Sequence, residues 1–387
     1  MIEPALRRAR WSTSTVFFAN GLGIGAWAAA IPPLKQGLAL SDAQLSMALL
    51  ALAGGAVFCM PLCGRVLPRL GGTGPGTRLA GLLFAIALTL PMWAGSLAWL
   101  LAAAFAMGAV NGFLDVAMNS HASAVERRWP GAIMSSFHAA FSLGGLMGTG
   151  VGAALLYVGI PSVWLLTPTA AIVLALVLGA APGLGLGEHD KAAPAAGTEG
   201  RPARPGRALL GLAAIALLCF LVEGAMVDWS GLYMTMAGAS AAGAAAGFAA
   251  FSATMVLGRL VGDRVVRRFG GPRVVAGGAL LAALGLGLAI VLPHSATIMA
   301  GFALVGLGLS NVVPAVFSAS GRLGNTTAGG IATVASAGYA GMLAGPPLIG
   351  AVAVASSLRG GVTLMAAAAL CAALLSLLVQ RPAARPA

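Results

Sequence analysis

Apolar residues in this chain neither alternate nor recur as a single helical stripe. They run on in blocks of about twenty, the length an α-helix needs to cross a bilayer core of ~30 Å. Twelve such blocks are legible. The first half holds 12–33, 43–63, 78–95, 98–123, 131–157 and 162–181, and the second holds 208–236, 241–261, 273–293, 295–321, 327–354 and 360–379. One stretch breaks the rhythm: residues 182–207 carry Glu188, Asp190, Lys191, Glu199, Arg201, Arg204 and Arg207 among Pro, Gly and Ala. That composition predicts a solvated linker. The pattern divides the chain into a six-helix half at 1–181, a linker at 182–207 and a second six-helix half at 208–387.

The halves also resemble each other. Asn20-Gly21 in the first block matches Glu223-Gly224 in the seventh. Gly108 and Gly306, Ile133 and Ile331, and Phe141 and Tyr339 are each 198 residues apart. A register held across two helices and their connection marks a parallel repeat, an architecture used by secondary transporters.

Composition sharpens the class. Hydrophobic residues make up 59% of the chain and charged residues 8%, with a mean hydropathy of +0.94. A soluble domain carries about 25% charged residues, so a water-exposed surface is excluded, and disorder with it. Strands of a membrane barrel would alternate. The expected fold is therefore all-α and integral to the membrane, with twelve helices in two pseudo-symmetric bundles. The net charge of +12 is read as orientation rather than nucleic-acid binding. With the N-terminus in the cytoplasm, 20 of the 22 Lys and Arg residues fall on the cytoplasmic side, and only Lys35 and Arg359 fall outside. The expectation is a multi-pass, monomeric protein of a bacterial-type inner membrane, with both termini cytoplasmic and the lipid bilayer as its partner. Cys59, Cys63, Cys219 and Cys371 all lie in apolar runs and read as small packing residues, so no metal and no cofactor is expected. The absence of a Gly-x-x-x-x-Gly-Lys loop disfavours ATP-driven transport.

Two sets of motifs carry a family resemblance. Gly258-Arg259-Leu260-Val261-Gly262-Asp263-Arg264, followed by Arg267-Arg268-Phe269-Gly270, stands between the eighth and ninth blocks. It resembles the cytoplasmic loop motif of the major facilitator superfamily, which implies a gating role for Gly258, Arg259, Gly262, Asp263, Arg264 and Arg268. The first-half counterpart, Gly64 to Gly71, has Pro68 in place of the motif's acid. Gly112-Phe113-Leu114-Asp115-Val116-Ala117-Met118-Asn119, Met134 to His138 and Glu223 to Ser230 resemble the YbjJ/MosC-like branch, related to the fucose permeases. By that resemblance Asp115 occupies the position of a functional carboxylate. The companion acid of the first helix is absent, since Ala28 stands there.

Ten acids occur, and Asp115, Glu223 and Asp228 are embedded in apolar blocks. A carboxylate near the bilayer centre costs on the order of 3 kcal/mol and faces a cavity or a partner. Asn111, Asp115 and Asn119 recur every fourth position and form one polar stripe. Function and interhelical bonding both explain such a stripe. The candidate solute-binding residues are Asn20, Trp27, Asn111, Asn119, Glu223, Asn311 and Tyr339, and the candidate proton-coupling residues are Asp115, His138 and Glu223. Pro314 follows Asn311 and frees a backbone carbonyl. With every basic residue counted as lying outside the apolar interior, the reading is a secondary transporter of a small neutral or cationic polar solute. Such a solute is sugar-, polyol- or amine-like, and it moves by alternating access with protons as the candidate coupling ion. Efflux of a metabolite or drug is the alternative, and a membrane sensor or intramembrane enzyme the remote one.

Overall fold

The computed structural model describes residues 2–189 and 206–379, and among them every regular element is helical. Among the described residues, twelve helices are long and apolar enough to span a membrane. They are α1 (Pro4–Gly37), α2 (Asp42–Arg69), α3 (Thr73–Trp93), α4 (Leu97–Arg128), α5 (Met134–Tyr157), α6 (Ser162–Gly185), α7 (Arg207–Met236), α8 (Ala242–Phe269), α9 (Gly271–Val291), α10 (Ser295–Leu323), α11 (Thr327–Ala355) and α12 (Leu358–Val379).

Several helices overrun their apolar blocks at the arginine-rich ends. Helix α1 begins at Pro4, eight residues before the expected start, and α8 continues to Phe269 rather than ending at 261. Arginine is a good helix former, and its long side chain lets a charge sit at a helix end beyond the hydrocarbon. Arg127 and Arg128 close α4, and Arg267 and Arg268 close α8, where cations meet the negative end of the helix dipole. The motif expected between the eighth and ninth helices is therefore helical as far as Phe269. The turn itself is Gly270, whose φ of +81° suits glycine.

Helix starts are specified locally. Ser41 and Gln44 form a capping box on α2, and Ser96 accepts from the Trp99 amide at the start of α4. Helix α5 is capped from outside itself: Glu126 Oε1 accepts from the amides of Ile133 at 2.9 Å and Met134 at 3.0 Å. Pro314 has its expected consequence. Helix α10 is interrupted between Leu309 and Val312, because Pro314 has no N–H to offer the Ser310 carbonyl.

Contacts divide the chain into two units, Met1–Ala203 with Gly324–Ala332, and Arg204–Leu323 with Thr333–Ala387. The short segment at the start of α11 thus groups with the first unit rather than with the half expected from sequence. The expected linker also begins later than composition suggests. Ala181–His189 form 3-10 turns; Gly183 packs on Ser12 of α1, and the Leu184 carbonyl packs on Gly74 of α3. Linker residues 190–205 lie outside the described residues.

Each unit has its own apolar core, one around Phe17, Phe84, Met107 and Phe137, the other around Tyr233, Leu286, Phe302 and Val305. Lipid tails are as apolar as leucine, so close packing must hold the helices together. Small residues provide it, and they do so in the same way twice. Gly144 and Gly148 of α5 rest on the backbone carbonyls of Phe18 and Leu22 in α1, as Gly341 and Gly345 of α11 rest on those of Leu217 and Leu221 in α7. Gly108 and Gly306, the pair 198 residues apart in the sequence, also share their packing, on the carbonyls of Leu52 and Phe251.

Candidate functional site

Among the described residues, two clusters of polar side chains lie inside the spans, one in each unit. In the first, Asn20 of α1 donates from Nδ2 to Asn111 Oδ1 of α4 at 2.8 Å, and both residues are buried. Farther along α4, Asn119 Nδ2 donates to the Asp115 backbone carbonyl at 2.8 Å and to Asp115 Oδ1 at 3.3 Å. Two oxygens remain without a donor, Asp115 Oδ2 and Asn119 Oδ1. No basic side chain lies within ion-pair reach of Asp115 among the described residues. Asp115 is half-buried, whereas Asn119 is fully buried. Buried polar atoms are almost always hydrogen-bonded, so unfilled acceptors one turn apart on the same helix are able to take a donor. A solute hydroxyl, an ammonium group or a proton is such a donor.

The second cluster surrounds the interruption in α10. Arg259 of α8 is only 7% exposed, and its guanidinium lies 3.8 Å from Glu223 Oε1 of α7. Arg259 Nε also donates to the Ser310 carbonyl at 3.4 Å, the oxygen that Pro314 leaves without its helical partner. Asn311 Nδ2 donates to the Gly258 carbonyl at 2.9 Å and to Ser310 Oγ at 2.9 Å. Gly258 is required here, because a Cβ would collide with the Ser310 side chain. Three helices are thus tied together through one guanidinium and one amide.

This cluster corrects the expectation that every basic residue lies outside the apolar interior. Ten residues separate Arg259 from the end of α8, and its side chain turns inward to a carboxylate and an orphaned carbonyl. Its proximity to Glu223 is readable only in part from sequence. Pro314 signals a free carbonyl at Ser310, but a motif placed in a loop hides the inward direction of Arg259.

The other nominated residues are dispersed. His138 is buried edge-on against the Phe17 ring, with centroids 5.5 Å apart. Asp115 therefore pairs with Asn119 and makes no hydrogen bond to His138. Trp27 is buried in the first core, and Tyr339 lies beside Phe220 with ring centroids 6.2 Å apart. Within the gating motif, Gly262 and Asp263 are buried, Arg264 is exposed, and Arg268 lies over the Phe269 ring at 5.6 Å. Of the three embedded acids, Asp228 is exposed. His121 drew no attention in the sequence, yet it is fully buried, with Nδ1 3.3 Å from Thr73 Oγ1.

Comparison with known proteins places the fold. The family model described as Major Facilitator Superfamily matches residues 13–326. An uncharacterized MFS-type transporter of Yersinia pestis is 38% identical over 362 residues, covering 92% of each chain. The membrane protein MosC of Rhizobium meliloti is 35% identical over 347 residues, covering 88% of this chain and 83% of its own. Among solved structures, FucP, a fucose:proton symporter of E. coli, matches with a TM-score of 0.78 at 16% identity, covering 96% of this chain and 99% of its own. At that identity the likeness speaks for the fold alone. The family match and the long, full-length relatives agree with the twelve helices and their repeat: this chain belongs to the Major Facilitator Superfamily and is a multi-pass membrane transporter.

Proposed function

We propose that the protein is a secondary active transporter of a small, polar, neutral or cationic solute, of the sugar, polyol or amine class, with Asp115 as the residue that couples transport to protons. It works by alternating access in a bacterial inner membrane, with both termini cytoplasmic. The distribution of basic residues supports that orientation.

The observation that carries the reading is the pair of unfilled acceptors, Asp115 Oδ2 and Asn119 Oδ1, in an apolar span. Acceptors of this kind suit hydroxyl or ammonium donors. Glu223 is the weaker candidate for the proton, because a carboxylate facing a guanidinium gives up that attraction when it is protonated. Asp115 has no such partner and exchanges a proton without breaking an ion pair. Arg259 does not turn the interior into an anion site, since it is already committed to Glu223 and Ser310. The fold shared with a fucose:proton symporter is compatible with the proposal.

A ligand panel tests the solute class. Purified protein is heated in the presence of fucose, xylose, myo-inositol, glucosamine, glucose 6-phosphate or succinate. The expected result is a raised unfolding temperature with at least one sugar, polyol or amine, and none with the two anions. Stabilisation by glucose 6-phosphate or succinate alone would overturn the assignment.

A further inference from the structure

The second unit carries a mostly apolar groove, whose lining reaches Gly258 and Asn311 of the polar cluster at one place and is otherwise built from residues outside it. It has a volume of about 360 Å³ and runs between α8, α9 and α10. Val261, Val265 and Phe269 of α8, Leu281 of α9 and Leu307 of α10 line it, and Arg273 stands at its edge. Every groove on a membrane protein meets lipid tails, so apolar lining by itself selects nothing. What distinguishes this one is the charge at its mouth.

Arg273 is exposed and has no hydrogen-bond or ion-pair partner among the described residues. Arg264, Arg267 and Arg268 are also exposed along the same end of α8, and Arg268 lies against Phe269, itself part of the lining. Asp263, the acid of this stretch, is buried and does not line the groove. No acid lines the groove to offset the charge of Arg273, so the complement of the site is an anion attached to a long apolar chain.

The first unit repeats the arrangement in its own terms. A groove of about 320 Å³ runs between α3 and the end of α6, lined by Pro75, Leu79, Leu82 and Leu184. Arg78 stands at its edge, exposed and likewise without a partner among the described residues. Arg78 and Arg273 both lie in the opening turns of the third helix of their half.

We propose that the groove beside Arg273 is a binding site for an anionic phospholipid from the leaflet on the arginine-rich side, with the phosphate on Arg273 and one acyl chain between α8, α9 and α10. Juxtamembrane arginines attract anionic headgroups. The groove adds a fixed seat for the tail, and so turns a diffuse attraction into a site.

Gly277 allows the tail to be tested apart from the charge. It lines the groove, and a Cβ built there meets no atom within 4 Å. Gly277→Leu therefore fills the groove without disturbing the core, and leucine is a better helix residue than glycine. The delipidated full-length protein is titrated with dioleoyl-phosphatidylglycerol, and bound lipid is counted by native mass spectrometry. Arg273→Gln should weaken the tightest binding event about fivefold, the weight of one arginine at an anionic surface. Gly277→Leu, which leaves every charge in place, should weaken it as well. Titration with dioleoyl-phosphatidylcholine should show no dependence on Arg273. Equal phosphatidylglycerol binding by the wild type and Arg273→Gln would overturn the proposal. So would an unchanged affinity in Gly277→Leu, or complete displacement of the lipid by millimolar inorganic phosphate, since either would mean that the site reads a phosphate and not a lipid.

Discussion

Replacing Arg259 with glutamine is expected to destabilise the purified transporter by about 3 kcal/mol, the lower end of the range for breaking a buried ion pair. The substitution leaves Glu223 inside the span without its counter-charge and the Ser310 carbonyl without its donor. The lower end applies because a fifth of the Glu223 side chain remains accessible and the pair is separated by 3.8 Å. Glu223→Gln alone should also destabilise, by stranding the guanidinium. The double variant Glu223→Gln/Arg259→Gln should recover most of the loss, because it removes both charges together. Unfolding in sodium dodecyl sulfate across the four proteins measures the coupling directly. Purely additive losses would mean that Arg259 and Glu223 do not interact.

Helix packing supplies the other large effect. Gly148→Leu places a Cβ on the Leu22 carbonyl of α1, where backbone meets backbone and no side chain can move aside. Overpacking of this kind costs about 3 kcal/mol, the upper end of the usual range, because the backbone itself must shift. Gly150 lies two residues along the same helix, and a Cβ there meets nothing within 4 Å. Gly150→Leu is thus the matched control, with an expected stability equal to or slightly above the wild type from helix propensity. Size-exclusion profiles should show a folded peak for Gly150→Leu and a depleted or aggregated one for Gly148→Leu. Similar behaviour of both variants would contradict the close α1–α5 contact.

The number of helices was legible in the sequence because hydropathy over twenty residues measures what a bilayer requires. The repeat was legible because residues in the same register perform the same packing in each half, as Gly108 and Gly306 do on the backbone carbonyls of Leu52 and Phe251. Helix ends were not, since hydropathy stops at the first arginine whereas hydrogen bonding of the backbone does not. Helix α8 continues for eight residues beyond its apolar block for that reason. In the candidate site, the spacing of Asn111, Asp115 and Asn119 placed them on one face, and the structure links two of them through Asn119 Nδ2. The inward turn of Arg259 escaped notice because a count of basic residues by position carries no information on side-chain direction. Glu126 escaped for a related reason: a residue near a helix end looks like solvated surface, although it caps the next helix from seven residues away.

The most direct test of the proposed mechanism is solute-driven proton movement in proteoliposomes containing a pH-sensitive dye. The solute is the one that most stabilises the protein in the heating panel, and wild type is compared with Asp115→Asn. The amide keeps the shape of the side chain and cannot carry the proton. Addition of solute should move protons with the wild type and produce no pH change with Asp115→Asn, while the variant still exchanges labelled solute across the membrane. A pH change of wild-type size in Asp115→Asn would contradict the assignment of proton coupling to Asp115.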